Sequence, residues 1–159
     1  MSEALNRPID SLAELEEATA TIIASATRTL NIFAARLSAA YNSRERTEAL
    51  RRLLQNPRNQ LHIALHDCAN MRRDFPRLVA LLDTFSHNML IYETGEEAKA
   101  VHDEFVVADD LRFVRRFHGD RPRGEMVLDD ADAAQELKRR FEEIWLVSAP
   151  AVFATTLGL

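Results

Sequence analysis

Apolar and polar positions change period along the chain, and each change marks an element. Ser11 with Glu14 three residues later is a capping-box pattern, and Leu12, Leu15, Ile22 and Ala26 recur at helical spacing, predicting a helix near residues 11–28. Residues 29–37 are β-branched and apolar without that period and read as a strand. Asn42 with Glu45 opens a second helix carrying Leu50, Leu53 and Leu54 on one side and ended by Asn56 and Pro57. Leu61, Ile63 and Leu65 alternate with His62, Ala64 and His66, the period of a strand, which puts Asp67 at its C-terminal end. A helix over 71–85, with Pro76 near its first turn, and a short strand over 89–92 follow.

The second half is richer in strands. Residues 105–108 and 111–114 flank Asp109 and Asp110, predicting a tight connection between two strands. Residues 125–128 form a last clear strand. Asp129 or Asp130 then caps a helix whose Leu137, Phe141, Ile144, Trp145 and Ser148 share a face. The apolar tail admits two placements, a final strand or an arm packed on a partner subunit. The order of elements predicts an α/β fold with a mixed β-sheet flanked by helices on both faces. Ligands in such sheets usually sit at the C-terminal strand ends. The expected organisation is an N-terminal segment 1–10, one domain 11–148 and the tail 149–159, with no repeat and no linker.

Composition narrows the partners. A chain of 159 residues, 47% hydrophobic and 28% charged, suits one globular domain. A net charge of -5 from 20 basic and 25 acidic residues gives no overall attraction to nucleic acid or anionic lipid, so neither is an expected partner. Cys68 is the sole cysteine, residues 1–8 lack a signal-peptide pattern, and the apolar run 146–154 is broken by Ser148 and Pro150. The expected location is therefore the cytoplasm, with no membrane segment.

Candidate chemistry centres on one stretch. From His102 to Asp109 the chain reads His-Asp-Glu-Phe-Val-Val-Ala-Asp, and its outer residues resemble the HxKxxxxD signature of the phospholipase D superfamily. Glu104 stands where that family has lysine. The apolar strand inside the motif, the strand beginning at Glu125 and the final helix with Phe141, Trp145 and Ser148 carry the resemblance over residues 12–148. It implies a phospholipase D-like fold in a single-copy domain that forms a homodimer. In that family one histidine attacks phosphorus, a second protonates the leaving oxygen and lysines hold the phosphate. It also implies that Glu125 orients His102, and that Asp109 is the motif aspartate. The family's Gly-Ser-x-Asn element is replaced by Arg115-Arg116-Phe117-His118-Gly119.

Charge argues against the family's reaction. On a strand, residues 102 and 104 would share a face about 6.5 Å apart, so Glu104 would lie beside the phosphate. A like-charge contact at about 4 Å costs about 1 kcal/mol in water and about 4 at an intermediate dielectric. The expected role is a catalytically degenerate binding or regulatory homodimer, for a phosphate-containing ligand or a protein partner. The competing readings are a phosphodiesterase or nuclease using His102, Glu125 and a nearby arginine, and a structural scaffold.

Several residues carry both a functional and a bland reading. Arg115, Arg116, Arg121 and Arg123, with Arg112 nearby, could replace the lysine as an anion clamp or pair with neighbouring acids. Asp109 could take part in chemistry or secure the strand connection through backbone hydrogen bonds. His62, His66, Asp67 and Cys68 suggest a metal, but His62 and His66 on a strand lie about 13 Å apart, so no metal and no cofactor is assigned there. Two copies of His102 and Glu104 around a dimer axis would resemble a divalent-metal site.

Overall fold

The computed structural model describes residues 6–155. Eight strands, β1 (Asn6–Ile9), β2 (Thr29–Ala34), β3 (Gln60–Leu65), β4 (Met89–Thr94), β5 (Glu104–Ala108), β6 (Arg112–His118), β7 (Arg121–Val127) and β8 (Ser148–Val152), join in one sheet of order β1-β7-β6-β5-β2-β3-β4-β8. Strands β2, β3 and β4 run parallel to one another, and every other pairing is antiparallel. The sheet is therefore mixed, with helices on both faces, as the pattern of elements implies.

Helices α1 (Leu12–Ser25), α2 (Arg44–Leu54), α3 (Met71–Asp74) and α4 (Pro76–Thr84) cover one face, where Ile22, Leu30, Ile32, Leu50, Leu61, Ile63 and Leu78 are fully buried. The other face carries a single long helix, α5 (Ala131–Leu146), which packs Leu137 and Phe141 on Phe33, Phe105, Val107 and Phe113. Alternation along β5 splits its residues between the two cores, Val106 and Ala108 toward α1, Phe105 and Val107 toward α5.

Caps largely follow the sequence. Ser11 accepts from the Glu14 N–H at 3.1 Å while Glu14 reaches back to the Asp10 N–H at 2.8 Å, and Asp130 caps α5 by accepting from the Ala133 N–H at 3.0 Å. Other expectations need correction. The strand predicted over 29–37 stops at Ala34. Ser43, not Asn42, caps α2, because Asn42 is committed to the Arg77 N–H at the start of α4, 2.9 Å away. The single helix predicted over 71–85 is two helices, since Phe75 precedes Pro76 and adopts φ -130°, ψ 56°, outside the helical region that a following proline disfavours.

Segments near both ends of the described residues join the sheet. Residues 6–9 form an edge strand on β7, and Ser148–Val152 pairs with β4, so residues 149–152 of the tail lie in a strand. Residues 1–5 and 156–159 lie outside the described residues. No helix among the described residues is long and apolar enough to cross a membrane.

Gly124 on β7 shows how tightly the antiparallel half is assembled. A Cβ there would stand 1.9 Å from the Arg115 carbonyl oxygen of β6. Gly124→Ala should therefore force the β6–β7 pair apart and lower stability by about 2 kcal/mol or more, read as a fall in the urea midpoint at unchanged slope. A midpoint equal to wild type would contradict this close approach.

Candidate functional site

The motif straddles the junction between the two halves of the sheet. Its last residue, Asp109, opens the three-residue connection between β5 and β6, a turn closed by the Leu111 N–H on the Ala108 carbonyl at 3.1 Å, whose central residues Asp109 and Asp110 have φ of 57° and 55°. Aspartate tolerates this left-handed conformation better than most residues, so a hairpin with positive φ at both central positions forms without glycine. The Asp109 carboxylate faces inward and accepts from the backbone N–H of Thr27 (3.0 Å), Arg28 (2.8 Å) and Thr29 (3.1 Å), and from Arg112 Nη1 (2.8 Å). Burial alone would raise this carboxyl, but the three amides and Arg112 outweigh it and hold it below the ordinary aspartate value. Asp109 therefore secures the strand connection, tying it to the loop between α1 and β2.

Glu104 opens β5 on the α1 side. One carboxylate oxygen accepts from the Ala35 N–H just past β2 at 3.0 Å, and the other stands 3.5 Å from Arg116 Nη1, in register on β6. Asp103, the preceding residue, is buried and turns to the opposite face. There it accepts two hydrogen bonds from Arg140 of α5 (2.6 and 2.7 Å) and one from Arg115 (3.1 Å). Burial opposes ionisation of Asp103, yet Arg140 and Arg115 draw its carboxyl below the ordinary value. Adjacent acids thus take adjacent arginines, one pair on each face of the sheet.

His102 lies outside the strand, since β5 begins at Glu104, so the expected strand spacing of residues 102 and 104 does not apply. Its ring is exposed and makes no side-chain hydrogen bond among the described residues. Its carbonyl accepts from the Gly119 N–H at 2.8 Å, which brings the His118 ring to 5.2 Å from its own, centroid to centroid. These two rings, with His66, Val101, Asp103, Glu104, Gly119 and Asp120, line a cleft of about 360 Å³ beyond the C-terminal ends of β2 and β3. His66 is committed: Nδ1 pairs with Thr94 Oγ1 at 2.6 Å and Nε2 with the Val101 carbonyl at 2.8 Å.

Other expected contacts do not form. Glu125 sits on β7 opposite Arg115, two strands from β5, and among the described residues it makes no hydrogen bond to His102. Arg115 and Arg116 point to opposite faces and are held by Asp103 and Glu104, while Arg123 lies 4.0 Å from Asp10 and Arg121 is exposed, so the four do not converge on one anion. Asp67 pairs with Arg36 at 2.7 Å. His62 stacks on Trp145 at 4.8 Å, and burial lowers its pKa. Cys68 is buried, with its thiol pushed up to about 12, chiefly by desolvation, so it offers no ready thiolate.

Residues 11–153 match the family described as "Domain of unknown function (DUF7931)". The chain belongs to this family. No curated protein matches the DUF7931 chain in sequence. Among solved structures it is similar to Nuc of Salmonella typhimurium, a phospholipase D family member, at 10% identity and TM-score 0.66, covering 92% of this chain and 98% of that one. It is similar to NucT from Helicobacter pylori at 13% identity and TM-score 0.65, with the same coverages of 92% and 98%. TrmBL2, described as an archaeal chromatin protein with a novel mode of DNA binding, aligns at 7% identity and TM-score 0.67 over 92% of this chain and 54% of its own. The DUF7931 domain thus has the phospholipase D-like fold.

Three residues of the DUF7931 cleft were not singled out from sequence: Asp103, His118 and Asp120. Asp103 lies inside the motif but not at a signature position, and its side-chain contacts with Arg115 and Arg140 are visible only in the folded chain.

The lowered Asp103 and Asp109 carboxyls set an acid limit on stability. Their contribution is fully present above the unfolded aspartate value of about 4 and is lost as pH falls through their lower folded values. The urea midpoint should hold from pH 7 to about 5 and drop below about pH 4. Asp109→Asn should cost about 3 kcal/mol at pH 7 and flatten that acid slope. A variant as stable as wild type would refute the clamp.

Proposed function

We propose that this DUF7931 domain is a catalytically degenerate phospholipase D-like module that works as a cytoplasmic binding or regulatory homodimer. The observation that carries the reading is Glu104. Where the family holds phosphate with a lysine, this chain has a carboxylate anchored by the Ala35 N–H and matched to Arg116. A phosphodiester at the cleft would meet that carboxylate, and the arginines best placed to offset it are already engaged by Asp103 and Glu104. Asp109 is wholly occupied by backbone amides and Arg112, which removes a second motif residue from the reaction.

The dimer is supported by the resemblance and by Phe117. This ring adjoins His118 at the end of β6, is 49% exposed, and would be covered by a second copy approaching the cleft. TrmBL2, with the same fold, is described as binding DNA, which favours a binding role for such a fold. The net charge of -5 and the paired arginines direct this domain to a ligand or protein other than a DNA backbone.

The test is turnover of a chromogenic phosphodiester, bis(p-nitrophenyl) phosphate, by wild type and His102→Ala, with sedimentation of wild type and Phe117→Glu. Neither protein should hydrolyse the ester above buffer. Glu104→Lys should gain nothing, because lysine would face Arg116 and leave the Ala35 N–H unpaired. Wild type should sediment as a dimer that Phe117→Glu weakens at least about 10-fold, a loss of about 1.4 kcal/mol. Turnover by wild type that His102→Ala abolishes would overturn degeneracy, and a monomer at every concentration would overturn the dimer.

A further inference from the structure

The turn between β6 and β7 brings a second imidazole to the first within one chain. The Gly119 N–H on the His102 carbonyl fixes the approach, and the His102 and His118 rings stand 5.2 Å apart with planes tilted by 33°. Other polar side chains lining the cleft have their ligating atoms engaged. His66 uses both ring nitrogens, Glu104 is shared between Ala35 and Arg116, and Asp103 is saturated by Arg115 and Arg140. The expected set of two His102 and two Glu104 around a dimer axis loses its carboxylates for the same reason. What remains are two exposed imidazoles and the Asp120 carboxylate behind one of them.

We propose that His102 and His118 together bind one divalent transition-metal ion, zinc or a similar borderline ion, leaving its other positions open to water or an exogenous ligand. Two imidazoles on one tetrahedral ion, each with a metal–nitrogen bond of about 2.0–2.1 Å, have ring centroids about 5 Å apart. The observed separation already meets this, so rotation of exposed rings suffices to aim both lone pairs at one point. Imidazole donors without thiolate favour zinc, copper or nickel over magnesium or calcium.

Asp120 supplies an independent feature. Its carboxylate lies 3.6 Å from His118 Nδ1, and its backbone N–H donates to the same nitrogen at 3.2 Å. The backbone contact favours the tautomer with the proton on Nε2. The carboxylate favours the one with the proton on Nδ1, which leaves the Nε2 lone pair for a metal. A carboxylate accepting the second N–H is the usual support of a metal-bound histidine. Metal binding moves the proton from Nε2 to Nδ1 through solvent, with no net proton released from a neutral ring. Asp120 is thus a positioning residue.

Among the described residues no group of three or more histidine, cysteine or carboxylate side chains converges, so the protein supplies two ligands and the ion stays exchangeable. A bound dication would also reverse the local charge of the cleft, making it receptive to an anionic ligand that Glu104 otherwise repels. The proposal does not depend on the degenerate reading above, because its readout is metal uptake and not turnover.

Equilibrium dialysis of the purified full chain against zinc chloride tests it, with circular dichroism to confirm that each variant is folded. Wild type should take up one zinc per chain. His102→Ala and His118→Ala should each bind at least about 10-fold more weakly, and Asp120→Ala about 10–100-fold more weakly. The cobalt(II) form should show the intense visible absorption of a four-coordinate site, lost in either histidine variant. No uptake by wild type, uptake by either histidine variant equal to that of wild type, or one zinc per two chains would overturn the proposal.

Discussion

The Asp109 carboxylate holds the two halves of this sheet together. Strands β5, β6 and β7 form an antiparallel meander with β1 added at its edge, whereas β2, β3 and β4 are parallel and linked by helices. The seam is the antiparallel pairing of β2 with β5. At one end of that seam the backbone leaves α1 at Ser25 and must turn into β2 with its N–H groups unpaired by any helix. Three of those amides end on Asp109. A buried carboxylate is costly unless its lone pairs are filled, and this one is filled by five donors, the Thr27 hydroxyl among them, so it fixes the register on which the cleft at the opposite end of β5 depends.

Glu104 performs the matching task at that opposite end. Its hydrogen bond to the Ala35 N–H satisfies the backbone just past β2, and its charge answers Arg116 across the β5–β6 ladder. Asp103 does the same on the other face with Arg115 and Arg140. Two adjacent acids and two adjacent arginines, with Glu104 and Arg116 in register and Asp103 just before the start of β5, give each face of the sheet one compensated pair. A lysine at position 104 would break this pattern by facing Arg116.

What was legible in the sequence follows from how local each signal is. The capping pair Ser11–Glu14, a cap from Asp129 or Asp130 that Asp130 supplies, and the alternation over 61–65 depend on neighbours within a turn or along one strand and are present as read, whereas the stripe of the last helix stops at Trp145 because Ser148 lies in β8. Asn42 misled because its side chain serves α4, far away in sequence, while Ser43 was free to cap α2. Edge strand β1 carries polar Asn6 and Arg7 and a proline, and nothing but its pairing with β7 makes it a strand. The motif identified the fold but not the partners of its residues. Whether Glu125 meets His102 is decided by register between strands, and whether Asp103 meets Arg115 and Arg140 by how β5, β6 and α5 come together, which no single segment encodes.

Register also explains why the cleft leaves the His102 ring, and Nε2 of His118, without a hydrogen-bond partner among the described residues. The chain spends its acids and arginines on one another, which leaves imidazole as the uncommitted donor type where β6 turns back over the start of β5. Gly119 makes this possible, since a Cβ there would crowd Glu104 Oε2 at 3.2 Å and the His102 carbonyl at 3.6 Å. A bulkier residue would push the turn outward and carry His118 away from His102. The small residue, the carbonyl that receives its N–H and the two rings form one local arrangement. It is built by the connection between two strands and is independent of the charge pairs that close off the rest of the cleft.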